Sequence, residues 1–96
     1  MVIGVLQVEL RIEGSMSLKD KRSVVKGLKD RLGRDPAVAV AEVGELDAHR
    51  MAVLGVVTVA NSADRVRETM QRVLEMMKRH PEAVVTGHRM EVLTGQ

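Results

Sequence analysis

The strongest constraint in this chain is a change of hydrophobic period that happens twice. From Val2 to Glu13 the residues settle into alternation, with Leu6, Val8, Leu10 and Ile12 on one side and Gln7, Glu9, Arg11 and Glu13 on the other. A period of two belongs to a strand with one face on a core. Gly14-Ser15-Met16 interrupts it, and Ser17 with Asp20 three residues on resembles a capping box in which Asp replaces the usual Glu. From Leu18 the period is helical. At about 100° per residue, Leu18, Val24, Val25, Leu28 and Leu32 share an arc of about 120°, and Gly33 supplies the stop.

The same switch recurs in the second half. Ala37 to Val43 is short and β-compatible, Gly44 to His49 is mostly polar, and Met51 to Ala60 is the most apolar stretch in the chain. Its Val53, Val56, Val57 and Val59 predict a central strand buried on much of both faces, joined to the second strand as a hairpin. Asn61 with Asp64, or Ser62 one position later, caps a second helix. Val66, Met70, Val73, Leu74 and Met77 gather within about 100° of that helix, with Glu68 and Arg72, and Glu75 and Arg79, four apart on its wet side. His80-Pro81 ends it. Ala83 to Leu93 reads as the last strand and Thr94 to Gln96 as a frayed tail.

The order β-α-β-β-α-β is a split βαβ unit, and right-handed crossovers put the first and third strands in the centre with both helices on one face. The expected fold class is therefore α+β, ferredoxin-like: a four-stranded antiparallel sheet covered on one side by two helices. With 96 residues there is room for one modest core, so residues 1–96 are expected to form a single domain. The uncovered sheet face can carry nucleic acid, a partner subunit or a small ligand, and the fold does not choose among them.

Composition narrows the functional classes. The chain has no Phe, Tyr or Trp, so its core must be aliphatic and no ring is present to stack a base or a sugar. It has no Cys, which excludes disulfides, thiolate catalysis and Cys-based metal sites and fits a reducing cytoplasm. Met1 to Leu6 lacks the basic and long apolar regions of a signal peptide. Nowhere does an apolar run approach the roughly 20 residues that span a bilayer, so the expectation is a cytoplasmic protein with no membrane contact. Motifs of the GxxxxGK, dinucleotide-binding, HExxH and nucleophile-elbow types are absent, so a non-enzymatic role without cofactor or metal is expected.

The sharpest positive signal is on the first helix. Lys19, Arg22, Lys26 and Lys29 lie within about 80° of arc, with Lys21 inside the apolar arc near the helix start and Arg31 and Arg34 nearer the end. Cations at a helix C-terminus suit the dipole, but three of the four stand in the first half or centre, where it gives them no reward. Such a row can meet a phosphate backbone without reading bases. We therefore expect Lys19, Lys21, Arg22, Lys26 and Lys29 to contact structured RNA or a ribosomal surface.

Two other classes remain open. One is a homo-oligomeric interaction module, a homodimer packed through the apolar third strand, with Met76 outside its helix stripe as a second hint of contact with another chain. The other is a small-ligand sensor or enzyme built on the Glu45 to Arg50 loop, where Asp47 and His49 could pair, provided that the loop meets His88 or another chain in a pocket. His88 and Arg89 could also join Glu9 and Arg11 in a polar cluster on the sheet.

The run Ser17-Leu18-Lys19-Asp20-Lys21-Arg22-Ser23-Val24, followed by Leu28-Lys29, Val40-Ala41-Glu42-Val43, Leu54-Gly55, Asn61 and Arg72-Val73-Leu74, resembles the YlxP-like family of small bacterial proteins of unknown function. The resemblance covers nearly the whole chain and implies the ferredoxin-like arrangement. Genes of that family commonly lie near those for translation initiation factor 2 and ribosome-binding factor A, which implies a role around the ribosome or its RNA. It brings no catalytic residues. Members often carry an aromatic residue in the loop matching His49 or Arg50, and this chain has none.

Overall fold

Strands with one apolar side need a layer to bury it, and two amphipathic helices supply that layer here. The computed structural model describes residues Met1 to Gly95. It contains β1 (Val2–Arg11), α1 (Leu18–Leu32), β2 (Val38–Gly44), β3 (Met51–Ala60), α2 (Ala63–Lys78) and β4 (Val84–Thr94). The sheet order is β2-β3-β1-β4 and every pairing is antiparallel, so the expected ferredoxin-like topology with β1 and β3 in the centre is present.

The core follows from the two periods. Leu6, Val8 and Leu10 of β1 and Ala52, Leu54 and Val56 of β3 point to the helices, where Val25, Leu28 and Leu32 of α1 and Val66, Met70, Val73, Leu74 and Met77 of α2 cover them. With no aromatic rings, close packing depends on near approach of backbone and helix. At Gly4 an added Cβ would stand 2.5 Å from Val66 Cγ1 and 2.8 Å from Met70 Sδ, so α2 rests directly on β1 at that point.

Both helices begin as their caps dictate. Ser17 Oγ accepts from the Asp20 N–H at 3.1 Å, while the Asp20 carboxylate reaches past the cap residue to the Met16 N–H at 2.9 Å. At α2 the choice between Asn61 and Ser62 falls to Ser62, whose Oγ accepts from the Arg65 N–H.

Three sequence expectations change. The third strand is buried on its second face only in part: Ala52, Leu54, Val56 and Thr58 face the helices and Val53 on the other side is buried, but Val57 and Val59 there are 41% and 51% exposed, because no described element covers that end of the face. Met76 does not stand clear of the protein; it is half-buried against the core beside the α1–α2 cleft. Nor is the tail frayed from Thr94, which pairs with Val2, while the Gly95 N–H donates to Met1 O at 2.7 Å. Gln96, the rest of that expected tail, lies outside the described residues.

Candidate nucleic-acid interface

Helix α1 sorts its side chains by angle. Val25, Leu28 and Leu32 turn to the sheet, while Ser23, Val24 and Arg31 line clefts shared with α2 or the segment entering β4. Lys19, Arg22, Lys26 and Lys29 therefore occupy the flank turned away from α2, over the edge formed by β2, and all four are exposed. Among the described residues Lys19, Arg22 and Lys29 form no ion pair. Lys26 meets Asp30 one turn on at 3.0 Å, but its side chain is 77% exposed and such a pair holds it only weakly.

Lys21 does not belong to this surface. It was expected among the phosphate-binding cations, yet it is 1% exposed and its ammonium is committed inward. Nζ donates to Glu45 O at 2.8 Å, Met51 O at 3.1 Å and, more weakly, Leu46 O at 3.4 Å. Glu42 Oε2 stands 2.9 Å away, at an approach too oblique for a hydrogen bond, so charge attraction alone links it to Nζ. The four methylenes cross the apolar arc and carry the charge to the β2–β3 hairpin. Glu45, whose carbonyl anchors Lys21, is also the one non-glycine residue with positive φ among the described residues, at 55°. The signal was visible in the sequence, since Lys21 sits within the apolar stripe of α1; a cation there needs buried acceptors.

Charge is divided between the two layers. Residues 18–35 and 63–80, the helices with their ends, hold twelve Lys or Arg against six Asp or Glu, while the remaining residues hold three against seven. A net +2 thus conceals a positive helical layer over a negative remainder. Removing buried Lys21 from the count leaves the helical excess largely intact.

The Glu45 to Arg50 loop is organised from below. Lys21 holds its carbonyls, and Arg50 Nε donates to Ser15 O at 3.1 Å, while Asp47 and His49 remain exposed. His88 lies on β4, across β3 and β1 from β2, so the loop and His88 are on opposite edges of the sheet. Register also divides the anticipated polar cluster. Arg89 stands opposite Gln7 on the uncovered face, near Glu9 and Arg11, but His88 stands opposite Val8 on the helix side. Among the described residues no three His, Cys, Asp or Glu are placed to hold a metal ion.

The uncovered face has two halves. Ile3, Val5, Val57, Val59 and Leu93, with Ala39, Ala41 and Val43 of β2, make an apolar half, indented by a shallow cavity of about 380 Å³ over Gly55. Gln7, Glu9, Arg11, Arg89 and Glu91 make a polar half of both signs. No described helix is long and apolar enough to cross a membrane.

Residues 3–90 match a family model described as "Protein of unknown function (DUF503)". The chain is 31% identical over 90 residues to the uncharacterized protein YlxP of Bacillus subtilis (strain 168), covering 94% of this chain and 98% of that one. Among solved structures it is similar to a de novo designed protein with ferredoxin fold, at a TM-score of 0.55 and 17% identity over 99% of this chain and 88% of that one. It is also similar to SnoaB, a cofactor-independent oxygenase from Streptomyces nogalater, at 0.51 and 12% identity over 99% and 93%. At such identities the structural likeness concerns the fold alone.

Proposed function

Because the chain belongs to the DUF503 family, its role has to be read from its own surface, and we propose that it is a non-enzymatic accessory protein that binds structured RNA or a ribosomal surface. The observation that carries this reading is the exposed ridge of Lys19, Arg22, Lys26 and Lys29 on the free flank of α1. From Lys19 to Lys29 the ridge runs about 15 Å at 1.5 Å per residue, long enough to follow several phosphates of one strand. Without aromatic rings, recognition would rest on the shape and backbone charge of a folded RNA. The absence of Cys suits work in the reducing cytoplasm, where such particles are found.

The test is neutralisation of Arg22, Lys26 and Lys29 together to Gln. All three are exposed, so the fold should survive. Co-sedimentation with ribosomal particles at low salt should fall. The slope of log K against log salt on duplex RNA should shrink by roughly 2 to 3 units, at about 0.9 for each phosphate that is no longer neutralised. Co-sedimentation equal to that of the parent chain would overturn the reading.

A second reading, compatible with the first, is a homodimer joined through the uncovered sheet face. The exposed valines support it, because a contiguous apolar patch of this kind marks an interaction surface more often than a solvated one. Both charge signs on the polar half suit a two-fold contact of the face with itself. Light scattering over a range of concentrations should give twice the 10.6 kDa chain mass, and Val57→Lys should return it to one chain. A parent chain of single mass at every concentration would refute this reading.

A further inference from the structure

Between the helices, at the C-terminal end of α1, lies an open cleft of about 520 Å³ whose rim is almost entirely guanidinium. Arg31 and Arg34 come from α1 and the turn after it, Arg72 from α2 and Arg79 from the residue that caps the C-terminus of α2. Leu32, Val73 and Met76 form an apolar lining between them. One carboxylate, Asp35, is also present, and it is already engaged with Arg72 and with the Ala37 N–H. Among the described residues the side chains of Arg31, Arg34 and Arg79 make neither a hydrogen bond nor an ion pair.

We infer that this cleft is an anion site for a phosphate-bearing ligand, distinct from the lysine-rich ridge on the opposite flank of α1. Four guanidiniums against one carboxylate leave the cleft with a surplus of three positive charges. Planar forks of N–H donors match phosphate oxygens two at a time, which lysines do not do. Arg72 and Arg79 are seven residues apart, about 10 Å along the helix axis, so the rim offers donors at more than one point along the cleft. Helix dipoles favour a cation at each helix end, and Arg31, Arg34 and Arg79 benefit from that. The dipole does not explain why cations from both helices, with Arg72 from the middle of α2, open into one cleft over an apolar lining.

The phosphates could belong to a free diphosphate ester or to the backbone of an RNA, and two titrations separate these sources. The isotopically labelled chain is titrated with inorganic pyrophosphate and, separately, with a short RNA hairpin, while the backbone and arginine Nε–H resonances are followed by NMR. The variants are Arg34→Gln with Arg79→Gln, both exposed and unpaired, and the ridge variant with Gln at positions 22, 26 and 29. The expected result is saturable binding of pyrophosphate with shifts confined to Arg31–Asp35 and Arg72–Arg79. The cleft variant should lose roughly tenfold or more in affinity, as loss of charge-assisted hydrogen bonds predicts, while the ridge variant keeps it. Pyrophosphate that does not saturate, with hairpin affinity still falling tenfold in the cleft variant, would assign the site to RNA phosphates. If neither ligand distinguishes the cleft variant from the parent chain, the inference is wrong, whatever the ridge variant does to RNA.

Discussion

Replacing Lys21 by methionine removes one ammonium and keeps most of the buried stem, so it measures what the buried charge contributes. Three carbonyls lose a donor, and Glu42, 17% exposed at its side chain, loses its counter-charge. Hydrogen bonds to a charged group contribute about 1.5 to 3 kcal/mol each. The 3.4 Å contact to Leu46 O adds little, which sets a ceiling of roughly 6 kcal/mol for the other two. Two effects reduce it: the desolvation cost of the ammonium disappears, and water can reach the freed carbonyls because Glu45 and Leu46 are exposed. A loss of about 3 kcal/mol is expected, at the lower end of the values for removing one member of a buried pair. In a domain of this size that lowers Tm by roughly 12 to 24 °C. The chain has no Trp or Tyr, so urea unfolding is followed by far-UV circular dichroism. Adding Glu42→Gln to Lys21→Met should recover part of the loss, on the order of 1 kcal/mol, because a stranded carboxylate is then removed. A single-variant loss below about 1 kcal/mol would show that these groups are already well solvated in the native state and that Lys21 does not anchor the hairpin.

Two further outcomes follow from the packing and the charges. Gly4→Ala should cost about 1 to 3 kcal/mol by overpacking against Val66 and Met70; an unchanged urea midpoint would mean that α2 can lift off β1 without cost. Asp35 is held below the ordinary carboxylate value of 3.8 by the Ala37 N–H and the Arg72 guanidinium. Its contribution is therefore present above that value and lost as pH falls through the lower folded value. Asp35→Asn should destabilise the protein at neutral pH and flatten the acid side of its Tm profile; parallel profiles for variant and parent chain would contradict this.

Much of the architecture was legible in the residue pattern, for a physical reason. Alternation in Leu6 to Ile12 and the 3.6-residue stripe of Val66 to Met77 are local signals of which side meets a core, and their order leaves few topologies. The exposed cations Lys19, Arg22, Lys26 and Lys29 could be placed on one flank by angle alone. Periodicity does not say what lies opposite a residue. Val57 and Val59 looked like core residues because a valine-rich run reads alike whether one face or two is covered.

Local patterning settles the elements, their order and which helix flank is cationic, because these depend on neighbours within a few residues. Which cations are free is settled by contacts across the fold, where no local pattern reaches. Lys21 and Arg22 are adjacent in the chain, but one is sealed beneath a hairpin 24 residues away and the other stands in solvent. Arg34 and Arg79 are far apart in sequence and share one cleft. The energy of a charge depends on the oxygens and water around it, and in a folded chain those are supplied from a distance.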